Sequence, residues 1–192
     1  MKVYKTYKRL GKLWFFTTVL SLYAIVSFAQ PALPPHSNSS NTSNSVNGEI
    51  LIPITLTQHH SLDFGLMTVP SGVVNVTLTT TGIRNASIPA NIGLLSLAPL
   101  PAPAAYSVSG LAYESYIITL PPDNTVTITE GANPMHVDSF SARAASSGLD
   151  GTTGTLDNTG SDSFVIGATL KLLNAQPIGT YSGTFDVTVN YY

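Results

Sequence analysis

The sequence predicts an all-β domain, an antiparallel, immunoglobulin-like β-sandwich of about 7–10 strands, and three observations carry that prediction. The first is the stretch 180–192. Its odd positions (Tyr181, Gly183, Phe185, Val187, Val189, Tyr191) form one row, and Thr180, Ser182, Thr184, Asp186, Thr188 and Asn190 form the other. A period of two sustained this long makes a strand with one apolar and one polar face. The second is a series of short period-two segments separated by Pro/Gly turn signals, with no convincing 3.6-residue periodicity. The third is composition. Charged residues are only 9% of the chain, and Thr, Ser and Asn supply the polar surface, which suits half-buried strands.

Residues 1–29 read as an export signal. Lys2, Lys5, Lys8, Arg9 and Lys12 form a basic region, residues 13–26 an apolar run, and Ser27-Phe28-Ala29 a small-residue cleavage site, with the cut between Ala29 and Gln30. The apolar run is shorter than the roughly 20 residues of a spanning helix, so no membrane span is expected in the mature chain. Without cysteine near the cut, a lipid-anchored amino terminus is excluded as well. The expected location is the periplasm, the cell surface or the medium.

Cleavage changes the electrostatics. Only Arg84, Arg143 and Lys171 remain against ten acids, a net charge of about −7, so nucleic acid and anionic lipid are poor partners. Zero cysteines in an exported chain rule out a disulfide framework, leaving stability to a hydrophobic core. Residues 30–48 (Pro31, Pro34 and Pro35, then mostly Ser, Asn and Thr) read as a disordered, flexible linker that cannot bury enough apolar area to offset its chain entropy. N-glycosylation patterns begin at Asn38, Asn41, Asn75 and Asn85 and matter only in a eukaryotic secretory route.

The β-sandwich domain is placed at 49–192. Ile50, Ile52, Ile54 and Leu56 alternate with Leu51, Pro53, Thr55 and Thr57, and Pro53 marks an edge or bulge. Leu62, Phe64 and Leu66 continue this after a polar His59-His60 corner. Further strands are expected at 74–78, 92–97, 105–109, 115–120, 125–129, 135–140 and 163–172, and 148–160 reads as a flexible Gly/Thr-rich loop. An outer-membrane barrel is disfavoured. Tyr192 is in phase with Asn190, Thr188 and Asp186 rather than with the apolar row, whereas a barrel strand keeps its aromatic girdle on the lipid-facing side.

No constellation of residues marks chemistry. His59 and His60 are adjacent, so on a strand they point to opposite faces. His136 and Asp138 share a face by the period-two rule, but there is no Gly-x-Ser-x-Gly elbow and no cysteine to act as nucleophile. Asp150, Asp157 and Asp162 match no EF-hand spacing. Tyr106, Tyr113 and Tyr116 would suit a sugar-stacking platform, although core packing explains strand tyrosines more simply. The expectation is a non-enzyme with no catalytic, cofactor or metal residues.

Several segments in order carry a resemblance: Leu62-Asp63-Phe64-Gly65, Val69-Pro70-Ser71-Gly72, Val74-Asn75-Val76-Thr77-Leu78, the run from Tyr116 to Pro121, Met135 to Phe140, Ile166 to Leu170, and Pro177 to Phe185. The set resembles a family of secreted bacterial proteins, domain of unknown function 4402, over roughly 49–192. It implies an exported bacterial β-sandwich and supplies no catalytic residues. A looser similarity is to chaperone–usher pilus subunits and spore-coat-like secreted proteins, through Leu62 to Gly65 and the penultimate Tyr191. In such pilins the last strand pairs with a periplasmic chaperone, and a neighbouring subunit donates a strand that completes the sheet. This chain lacks the cysteine pair, and residues 50–56 would have to serve as the donated strand.

The expected function is therefore that of a cell-surface or fimbria-like structural or adhesion subunit acting through strand-edge pairing. Tyr181, Phe185, Val187, Val189 and Tyr191, with Ile50, Ile52, Ile54 and Leu56, are the candidate pairing residues. The partners would be further copies, other surface subunits or a periplasmic chaperone. The alternative is a carbohydrate- or ligand-binding module.

Overall fold

A computed structural model describes Ser45 and residues 47–192; the export signal and nearly all of the linker lie outside the described residues. The fold is all-β and is organised around one central strand. Among the described residues ten strands run in chain order: β1 (Thr55–His60), β2 (Val74–Leu78), β3 (Arg84–Ala86), β4 (Ala104–Ser109), β5 (Ser115–Thr119), β6 (Val126–Glu130), β7 (Asn133–Ala144), β8 (Thr153–Thr155), β9 (Ser161–Leu172) and β10 (Thr188–Tyr191). One 3₁₀ turn at Pro89–Asn91 interrupts them.

β9 is the spine. Its even positions Phe164, Ile166, Ala168, Leu170 and Leu172 are buried in one row, as a period of two requires. One edge of β9 is shared by two strands in tandem: β4 pairs with residues 161–166 and β2 with residues 168–172. The residue between them is Gly167, where an added Cβ would sit 2.4 Å from the Leu78 carbonyl oxygen. Only glycine allows β2 to leave the sheet across β9 at that point. The other edge of β9 pairs with β7, which in turn pairs with β6. With β1 on β4 and β3 on β2, this makes a seven-stranded antiparallel sheet.

The second sheet has three strands, in the order β10-β5-β8. It covers one half of the large sheet, enclosing a cluster that includes Tyr116, Ile118, Phe164, Ile166 and Val189; Tyr106 stacks on Phe164 with centroids 5.1 Å apart. The other half is a separate cluster built on Val74, Val76, Leu78, Val126, Met135, Val137 and Leu170. No strand of the small sheet lies over it. Segments 61–70 and 176–187 reach across instead.

Several expectations change. Residues 50–53 are not strand, and β1 instead runs through His59 and His60, where the His59 ring bonds Ser107 Oγ at 2.9 Å. Segments 62–66 and 92–97 make only isolated bridges, Asp63 to Ala102 and Met67 to Leu94. The loop at 148–160 contains β8, which pairs with β5. In β7 a bulge at Ser139, with φ +51°, shifts the inward row from Met135 and Val137 to Ala142 and Ala144, since one extra residue inverts the phase.

The stretch 180–192 keeps its alternation, but only its end is strand. Val189 is buried, Phe185, Val187 and Tyr191 are half-buried, and the even positions are exposed. Only Thr188–Tyr191 pairs, with β5. Earlier in the stretch, Ser182 forms a single bridge with Thr129 of β6, so the chain passes from the large sheet to the small one between them.

Candidate functional site: an open groove over half of the core

That crossing leaves a groove of about 630 Å³. Its floor is the inward row of the large sheet, Val126 and Ile128 of β6, Met135 and Val137 of β7, and Leu170 and Leu172 of β9. Residues 61–70 form one wall and residues 176–185 the other. The volume falls within the range of roughly 300–1,000 Å³ typical of ligand sites.

The first wall is held by a turn and one arginine. Gly65 has φ +68°, a conformation that costs a residue with a Cβ, and its N–H donates to Asp63 Oδ1 at 2.7 Å. Arg84 of β3 donates to the carbonyls of Phe64, Leu66 and Leu95. A guanidinium with its five donors in a planar fork can hold three carbonyls at once. Burial lowers the Arg84 pKa, with the Asp63 charge opposing. On the outer side of this wall Thr68 N–H donates to Gly93 and Leu95 N–H to Leu66. The N–H and C=O of Met67, between them, enter no backbone hydrogen bond among the described residues.

The second wall is pinned at its base. Buried Gln176 donates to the Pro134 carbonyl at 3.3 Å and to the Tyr181 hydroxyl at 3.0 Å, and that hydroxyl donates to Pro177. Ser182 and Thr129 exchange two backbone bonds. From Gly183 to Val187, five consecutive residues make no backbone–backbone hydrogen bond among the described residues. Phe185 meanwhile packs on Phe140, with centroids 5.0 Å apart.

Met67 on one wall and residues 183–185 on the other therefore carry backbone groups with no backbone partner among the described residues. The lip is apolar too: Leu66, Val69 and Ile178 are exposed, Ile178 to 83%. Asp63 is the one charged lining residue. Its lining is mostly apolar, with main-chain groups and a few hydroxyls as the polar component.

The residues singled out in the sequence divide between two places. Tyr181 and Phe185 belong to the groove wall. Val187, Val189, Tyr191, Ile54 and Leu56 pack on the covered half of the core. Ile50 and Ile52 are exposed ahead of β1, while Ala29 and Gln30 lie outside the described residues. Sequence reasoning missed Met67, Ile178 and Arg84; the last could have been noticed as one of only three basic residues after the signal.

The other candidates disperse. Tyr106 and Tyr116 are buried and Tyr113 is exposed, so the three form no platform. Tyr116 donates to Asp162 at 2.8 Å, and burial together with that carboxylate raises its pKa. His136 is exposed and bonds Thr127. Asp138 is 1% exposed and pairs with Lys171. Asp150 accepts from Thr80, while Asp157 closes its own turn through Thr159 and Ser161. Among the described residues no three His, Cys, Asp or Glu side chains gather into a metal-binding group, and no helix is long and apolar enough to cross a membrane.

Fold and groove together define a β-sandwich in which irregular segments, rather than strands of the second sheet, cover one half of the core. The chain belongs to the family described as Domain of unknown function (DUF4402), whose model matches residues 54–191. No curated protein and no solved structure matches the chain.

Proposed function

We propose that the protein is an exported, non-enzymatic, fimbria-like surface subunit whose groove accepts an extended apolar strand. The observation that carries this reading is that Met67 on one groove wall and Gly183, Thr184 and Phe185 on the other make no backbone–backbone hydrogen bond among the described residues. An exposed edge of this kind is a template for another chain, and a periplasmic chaperone would protect it by pairing with it. The scarcity of charge along the groove favours an apolar peptide over nucleic acid or an anionic glycan. Sugar stacking loses support with Tyr106 and Tyr116 in the core.

Amide hydrogen exchange tests the reading. In the isolated monomer Met67 and residues 183–187 should exchange freely, while β9 is protected. Adding a synthetic peptide with alternating apolar residues should slow those amides at least about tenfold, a free-energy change of roughly 1.4 kcal/mol. Protection of the same amides in the free monomer, or no peptide response, would refute the groove as an acceptor. Export is checked separately by the mass of the secreted product, expected to begin at Gln30. Serine-directed covalent probes should leave the protein unlabelled.

A further inference from the structure

We infer that Asn47-Gly48 is a site of self-modification, where the chain converts its own asparagine into aspartate and isoaspartate. The inference is independent of the groove and of the acceptor reading.

The chemistry is intramolecular. The Gly48 amide nitrogen gives up its proton to solvent base and attacks Asn47 Cγ. A C–N bond forms and the Cγ–Nδ2 bond breaks, so the side-chain nitrogen leaves as ammonia, taking up a proton in place of the one Gly48 lost. Water then opens the five-membered imide. Attack at the side-chain carbonyl gives aspartate, and attack at the main-chain carbonyl gives isoaspartate, in which the backbone runs through Cγ. Such a reaction is fast where the two groups can reach contact distance. It is slow where either one is held.

Asn47-Gly48 is the sole Asn-Gly pair in the chain. Glycine places no Cβ in the path of attack and tolerates the backbone angles that ring closure demands. Both residues are exposed, neither enters a backbone–backbone hydrogen bond among the described residues, and a Cβ added at Gly48 would meet nothing within 4 Å.

The fold supplies its own contrast. Asp150-Gly151 is the one Asp-Gly pair, able to form the same imide with loss of water, yet both of its reacting groups are tied. The Gly151 N–H donates to the Ala142 carbonyl at 2.8 Å, and Asp150 Oδ1 accepts from the buried Thr80 hydroxyl at 2.6 Å. Asp150 also bridges Arg143 of β7. One pair is left free and the other is locked.

The product adds a carboxylate beside Glu49, directly ahead of the exposed Ile50, Leu51 and Ile52, and the isoaspartyl form lengthens the backbone by one carbon. The modified fraction therefore records the age of the chain.

The secreted protein, aged near neutral pH and one unit higher, is mapped by peptide mass and by isoaspartyl methyltransferase labelling. Asn47 should deamidate at least about tenfold faster than every other asparagine in residues 47–192. The rate should rise with pH, because the attacking nitrogen must first lose its proton. Label should appear at 47 and not at 150 in the folded chain, and at both in urea. Gly48→Ala should slow the reaction at least about tenfold, with circular dichroism unchanged because the space around Gly48 is open. Faster loss at another asparagine, no effect of Gly48→Ala, or equal labelling of 150 in the folded chain and in urea would overturn the inference.

Discussion

Asp138 shows how one side chain secures the bulge in β7. Its Oδ1 accepts from Asn124 N–H, and its Oδ2 has the Lys171 ammonium as its sole polar partner among the described residues. The hydrogen bond from Lys171 and then that from Asn124 hold the carboxyl below the usual carboxylate range, with burial opposing. A depressed carboxylate pKa stabilises the fold above the unfolded value of about 3.9 and loses that contribution as pH falls through the folded value. The stability of the native chain should therefore drop below about pH 4 by more than that of Asp138→Asn, as read from urea midpoints across the acid range. Replacing the half-exposed partner, Lys171→Met, leaves a buried oxygen unpaired and should cost about 1–3 kcal/mol at pH 7. Gly65→Ala should also destabilise. It combines φ +68° with a Cβ only 2.9 Å from Arg84 and 3.0 Å from Pro101, and the loss should appear as faster exchange of the 61–70 wall.

Among the elements, β9 and the crossing segment 183–187 are opposites. Ile166, fully buried against β4 and β7, should cost about 2–5 kcal/mol on change to Ala. Phe185, half-buried at the edge of the groove, should cost less, about 1–2 kcal/mol, since its loss opens no closed cavity. Thermal unfolding of the two variants checks the ranking. The same contrast explains what could be read from sequence. β2, β4, β5, β6 and β9 were legible because each has a period-two row of apolar residues facing the core. β8 was hidden because Gly154 pairs with Tyr116 through backbone alone, without an apolar row. The bulge at Ser139 was hidden because a two-residue repeat carries no mark where it skips. In residues 180–192 alternation says which side chains point inward, and it is silent on which neighbour takes the backbone. For the same reason the groove, assembled from 61–70 and 176–185, could not be seen.

For the whole molecule, an unfilled groove makes stability depend on what fills it. A ligand that binds only the folded state adds RT ln(1 + [L]/Kd), about 2.7 kcal/mol at a hundredfold excess over Kd. For a domain of this size the melting temperature should then rise by roughly 5–10 °C.

β9 also has a mechanical consequence. It runs from the end where residues 50–53 lead into β1 to the end where the groove lies, flanked on both edges along most of its length. Tension applied between those ends would pull parallel to this strand, so the rungs on either side would have to shear together instead of unzipping singly. Single-molecule stretching between residue 48 and the groove should accordingly meet a higher rupture force than pulling across the sheet from β3 to β6.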